Sequence, residues 1–135
     1  MDYDVFNGDA DGICALIQLR LHDARPDAML ITGVKRDIQL LERVPSDSVG
    51  RVTALDISFD KNRDDVCRLT EAGAELFFCD HHYAGNVPMT ANLDTLISPA
   101  SDVCTSALVN GRLRGVFADW AAVGCFGDNL DTTAD

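Results

Sequence analysis

Two short stretches place carboxylates and imidazoles at spacings that a turn does not require. Asp9-Ala10-Asp11-Gly12 follows Val5-Phe6, and Asp80-His81-His82 emerges directly from the apolar Leu76-Phe77-Phe78-Cys79. Aspartate after a strand ordinarily forms a turn or caps the next helix, and Asp11 has that reading open to it if a helix begins near Ile13. Asp56 resists the same reading. It interrupts Ala54-Leu55-Ile57 and is expected to be partly buried, where a carboxylate needs a partner or a metal. Adjacent histidines after an aspartate, at the end of an apolar run, serve neither a core nor a turn. Neutral imidazole together with carboxylate suits borderline and hard divalent cations, notably Mn²⁺, Zn²⁺ and Co²⁺.

Strand-like and helix-like periodicities alternate along the chain and set where these groups stand. Strands are expected over residues 3–6, 28–34, 51–57, 75–79 and 93–97. Helical spacing begins at Ile13, and further helices are expected over residues 38–43 and 60–72, the latter stopped by Gly73. A helix capped by Ser101 and closed by Gly111 follows, then one over residues 116–127 interrupted by Gly124. Such alternation predicts an α/β fold of three layers, a mainly parallel sheet of about five strands flanked by helices. Ligands bind such sheets beyond the carboxyl ends of the strands. The first strand leads into Asp9 and Asp11, the third into Asp56 and the fourth into Asp80-His81-His82, so three strands deliver ionisable groups to one edge.

The bulk properties narrow the setting. A chain of 135 residues has room for one domain with its own core, and 47% hydrophobic with 24% charged residues is ordinary for a globular protein. No apolar run approaches a membrane span, and the acidic Met1-Asp2-Tyr3-Asp4 lacks the basic start of a secretory signal, so the cytoplasm is the default expectation. The five cysteines form no CxxC pair and are odd in number; they read as reduced core residues rather than metal ligands. Eleven basic against 22 acidic residues give a net charge of −11, which disfavours long nucleic acid as a partner. Solubility is the ordinary reading of that acidity, and carboxylates gathered around cations the sharper one.

In order and position, Asp9-Ala10-Asp11-Gly12, Asp56, Asp80-His81-His82 and Gly127-Asp128-Asn129 resemble the four motifs of DHH phosphoesterases. That family includes RecJ-type exonucleases, oligoribonucleases, cyclic-dinucleotide phosphodiesterases and family II inorganic pyrophosphatases. The resemblance covers nearly the whole chain and implies a divalent-metal-dependent phosphoesterase. Its substrate would be a phosphodiester or phosphoanhydride of a nucleotide-like or small phosphate compound. It further implies that Asp9 binds one metal, that Asp11, His81 and Asp128 bind the other, and that Asp56 bridges both. Asp80 would support the histidines, and His82 would face the substrate phosphate. The implied cofactors are two divalent cations, Mn²⁺ first and Co²⁺, Mg²⁺ or Zn²⁺ as alternatives, with a hydroxide between them attacking phosphorus.

The pattern has departures. Many members of the family carry a histidine four residues before the first motif aspartate; here that position is Val5, and Asn7 stands nearby as a weaker ligand. The C-terminal substrate-binding domain of the family is expected to be absent, which would leave residues 1–135 as a metal-binding catalytic domain of weak or no activity alone. Oligomeric state is left open, with a homodimer among the options. Two other readings compete. A haloacid-dehalogenase-type phosphatase would use Asp9 as a covalent nucleophile, but has no use for Asp80-His81-His82. A non-catalytic module would bind metal and nucleotide without turnover. Elsewhere, His22 reads as a solvated residue at a helix end, Trp120 as a packing residue, and Arg112 and Arg114 as part of a solvated loop.

Overall fold

The structure, a computed structural model, describes residues 1–34 and 36–128. Five strands, β1 (Tyr3–Asn7), β2 (Met29–Gly33), β3 (Arg51–Leu55), β4 (Glu75–Asp80) and β5 (Leu93–Ile97), form one wholly parallel sheet in the order β2-β1-β3-β4-β5. Four α-helices, α1 (Ala10–His22), α2 (Arg63–Glu71), α3 (Thr105–Arg112) and α4 (Ala118–Gly127), complete the layers.

Successive side chains of a strand point to opposite faces, and the central strands β1, β3 and β4 are buried on both, as in parallel sheets covered by helices. Val5, Val52, Ala54, Leu76 and Phe78 face a core built with Leu40, Leu41, Phe59, Val66 and Leu69. Phe6, Leu55 and Cys79 face the other way, against Ala15 and Leu16 of α1 and Val109 of α3. The first core is covered by α2 and by a 3-10 turn over Leu40–Arg43; the second is covered by α1 and α3, and α4 packs on both of those helices. No described helix is long and apolar enough to cross a membrane.

Several boundaries differ from the sequence expectation, each for a physical reason. Helix α1 begins at Ala10 because Asp9 is its cap, its carboxylate accepting from Gly12 N at 3.0 Å. Residues 38–43 yield only a 3-10 turn, and 60–72 splits into a 3-10 turn at Asp60–Asn62 followed by α2. Ser101 does not cap α3, whose N-cap is Cys104, and Gly111 lies within that helix instead of closing it. Gly124 does not interrupt α4: a Cβ there would meet Ser106 Oγ at 2.2 Å, so the missing side chain lets α4 lie against α3. Trp120 stands on α4 with 40% of its surface exposed. Arg112 belongs to α3, not to a loop, and pairs with Asp94. Four of the cysteines are buried and Cys67 is exposed.

Candidate metal centre

Asn7 is the last residue of β1, and the chain turns at once into α1, carrying Asp9 and Asp11 within its cap and first turn. Asp56 follows β3 with φ of 60°, a left-handed conformation uncommon for a residue with a Cβ. Its backbone N–H donates to Cys79 O at 3.0 Å, which fixes the turn against β4. Such strain persists where the surroundings over-determine it. Strand β4 ends in Asp80, and His81 and His82 follow. Asp128 is the C-cap of α4. That helix end reaches α1 because residue 127 is glycine: a Cβ there would sit 2.7 Å from Ala10 Cβ.

Three carboxylates from three elements converge on one imidazole nitrogen. His81 Nε2 lies 3.1 Å from Asp56 Oδ1, 3.5 Å from Asp11 Oδ2 and 3.5 Å from Asp128 Oδ2. Asp11 is fully buried, and both of its oxygens accept backbone N–H groups at the start of α3, from Thr105 at 3.0 Å and Ser106 at 2.7 Å. The residue that reads locally as a cap for its own helix therefore caps a helix 94 positions away. Thr105 Oγ1 donates to Asp56 Oδ1 at 3.1 Å, so α3 holds two of the acids in place.

The acids also press on each other. Burial first, then the charges of Asp11 and Asp9, push Asp56 up to about 10, with a hydrogen bond shared with Asp9 adding to the shift. Burial and Asp11 likewise raise Asp128 to about 6 despite the opposing pull of His81. Neighbouring carboxylates at such separations share a proton or a cation. Asp80 is fully buried and accepts at 2.7 Å from His82 Nδ1, which raises the pKa of His82 above its ordinary value and leaves Nε2 for the cleft.

The donor set fits a divalent cation. Asp11, His81 and Asp128 bring ligand atoms within 4.8 Å of one another, as do Asp56, Asp80, His81 and His82. Asn7 Oδ1 and Asp80 Oδ2 are buried with no hydrogen-bond partner, and Asn7 lines the same cleft as Asp9, Asp56 and the histidines. Unsatisfied buried oxygens beside a carboxylate cluster are the donors that a hard cation takes. Asp9 stands slightly apart, one oxygen held by Gly12 N, yet within reach of Asp56. Burial raises the pKa of Cys14, Cys104 and Cys125 near the acids, keeping them as neutral thiols. Every sequence-derived candidate among the described residues thus stands at the carboxyl edge, while Asn129 lies outside them.

One functional candidate escapes the sequence reading. Lys61, on the 3-10 turn after β3, lines the cleft, which has a volume of about 520 Å³. Its only sequence signal is a lone cation a few residues beyond Asp56.

Fold and site together define a parallel α/β domain with an acidic, histidine-bearing cluster at the strand ends whose donors could hold a metal ion. Comparison with known proteins agrees on the fold. The chain is similar to a crystal structure of the exonuclease RecJ bound to manganese, at TM-score 0.61 and 21% identity over 98% of this chain. It is similar to the same degree to RecJ from Thermus thermophilus in complex with Mn²⁺, at TM-score 0.62 and 21% identity over 98% of the chain. It spans 42% and 23% of the length of those two proteins. No family model and no curated protein matches.

Proposed function

We propose that this chain is a divalent-metal-dependent phosphoesterase domain of the DHH type, acting on a phosphodiester or phosphoanhydride of a small or nucleotide-like substrate. The observation that carries it is the convergence of Asp11, Asp56 and Asp128 on His81 Nε2 at the carboxyl edge of the sheet. The likeness to RecJ chains solved with manganese supports Mn²⁺ as the preferred ion. Asp11, His81 and Asp128 would hold one cation and Asp9, assisted by Asn7, a second, with Asp56 shared between them. Bound there, the cations would activate water and neutralise charge developing on phosphoryl oxygens.

The chain's own groups do the rest. Thr105 and Ser106 fix Asp11 and Asp56 before any ligand arrives, so the site needs little rearrangement on binding. Asp80 sets the tautomer and orientation of His82 through Nδ1. His82 then presents Nε2 to a phosphate oxygen, as donor in the ground state and as charge stabiliser in the transition state. The haloacid-dehalogenase alternative gives no role to this Asp80–His82 pair.

The test is hydrolysis of an aryl phosphodiester, a dinucleotide and pyrophosphate by the Mn²⁺-loaded chain, beside Asp56→Ala. Turnover of one substrate that disappears in Asp56→Ala supports the reading. Mn²⁺ binding without turnover of any substrate would leave a binding module, and a trapped phospho-aspartate at Asp9 would replace the mechanism.

A further inference from the structure

Among the described residues, the cleft beside the acidic cluster is lined by one side chain of permanent positive charge. Among the described residues lining it, Asp9, Asp56 and Asp128 face His81, His82 and Lys61, with Ser58 and Ser101 supplying hydroxyls and Ile38 and Val103 an apolar wall. Most arginines of the chain are already committed. Arg20 and Arg25 pair with Asp4, Arg51 with Asp23, Arg63 with Asp60, Arg68 with Asp65 and Arg112 with Asp94. The Lys61 side chain has no hydrogen bond, ion pair or ring contact among the described residues.

Its backbone is held firmly. Lys61 N donates to Ser58 Oγ at 3.2 Å. Next to it, the buried Asn62 side chain donates to Ser58 O at 2.7 Å and Ile38 O at 2.6 Å, and accepts from Leu41 N at 3.2 Å. Phe59 is fully buried, and Arg63 lies over its ring while binding the carbonyls of Ala84 and Asn86. The neighbours on this turn are locked, and the exposed Lys61 side chain stands on it at the edge of the acidic cleft, pairing with none of the acids among the described residues. An ammonium so placed is a site for an anion that arrives from solution.

We infer that Lys61 is the phosphate anchor of this cleft, taking a non-bridging oxygen of the substrate while the acidic cluster holds the reacting centre. The inference rests on the phosphoesterase reading and adds the substrate class. Among the described residues a single cation lines this cleft of about 520 Å³, which suits one small phosphate compound, whereas a long polyanion needs several such contacts.

The experiment is calorimetric titration of inorganic phosphate into the Mn²⁺-loaded full chain, with Mn²⁺ affinity measured separately for each variant. Lys61→Met is expected to weaken phosphate binding about tenfold, the worth of one charge-assisted hydrogen bond, and to flatten its dependence on salt. Lys61→Arg is expected to stay within about threefold of the parent, because it keeps the charge. Mn²⁺ affinity and melting temperature are expected to remain unchanged in both. Wild-type phosphate affinity in Lys61→Met, with Mn²⁺ bound, would overturn the inference and leave the phosphoesterase reading standing. A matching loss of Mn²⁺ affinity would overturn it too, by making Lys61 structural. Absence of Mn²⁺ binding in the parent chain would instead overturn the metal-centre reading, and this inference with it.

Discussion

Strand β1 carries buried acid at both of its ends, and the two are treated in opposite ways. Near the amino end, Asp4 is fully buried beneath two arginines, Arg20 Nη2 at 2.8 Å and Arg25 Nη2 at 3.0 Å, with Arg25 also bonded to Thr53. At the carboxyl end, Asp11 and Asp56 are as deeply buried, with Asp9 and Asp128 beside them, and no arginine or lysine pairs with any of the four among the described residues. Among the described residues they are answered by backbone N–H groups, a threonine hydroxyl, one histidine and hydrogen bonds shared between the acids themselves. Where the fold supplies the counter-charge the acid is structural. Where it withholds the counter-charge from several acids at once, the proposed function gives them a cation from outside as the partner.

The largest expected effect lies at the amino end. Replacing both Arg20 and Arg25 with Met leaves Asp4 as an unpaired buried carboxylate, and urea unfolding should show a loss of about 3–5 kcal/mol. Mn²⁺ should not restore it.

Next comes the carboxyl end. Mn²⁺ at a hundredfold excess over its dissociation constant should stabilise the chain by about 2.7 kcal/mol, as any ligand of the folded state does. Thermal unfolding should show the rise in the parent and none in Asp56→Ala. Without metal, Asp56→Asn should be close to neutral, since Asp56, raised to about 10, already carries a proton at pH 7. Asp4→Asn, which unpairs two arginines, should be destabilising under the same conditions.

The pH dependence of the metal-free chain sharpens the contrast. Asp56 and Asp128 have folded values of about 10 and about 6, above the ordinary 3.8. Below pH 3.8 both are protonated folded and unfolded, and their contribution is fully present. As pH rises, the unfolded chain releases both protons first, so stability falls. The decline should be steepest between about pH 4 and 6, where both groups contribute, and should continue more gently above it. Unfolding followed across that range should show the decline, and saturating Mn²⁺ should flatten it. A metal-free chain whose stability rises steadily from about pH 4 to 8 would break the comparison. The smallest effect belongs to the exposed pair Arg112–Asp94: Asp94→Ala should cost under about 1 kcal/mol, because solvent screens it.

Much of this arrangement is legible in the sequence, for reasons that separate it from what is not. Asp56 stands out because a carboxylate interrupts an apolar run, and Asp80-His81-His82 because two imidazoles follow a strand that has no need of them. Strand ends, and therefore the shared edge, follow from local periodicity. The grip of α3 on Asp11 does not, because it joins residues more than ninety positions apart. Nor does the Asp4 pair, since an aspartate inside a short strand looks like a solvent-facing position until the helix above it is known. Ser101 attracts the role of cap by type alone, while the start of α3 is satisfied by a side chain from the other end of the chain. Lys61 is invisible because a lone lysine carries no pattern; its meaning comes from the cleft around it.

The central claim is that the carboxyl-edge cluster binds divalent cations. Anomalous diffraction at the manganese edge, from crystals grown with Mn²⁺, tests it most directly. The account predicts a peak enclosed by Asp11, Asp56, His81 and Asp128, lost in crystals of Asp56→Ala. No peak there, or a peak only at an unrelated surface carboxylate, would contradict it.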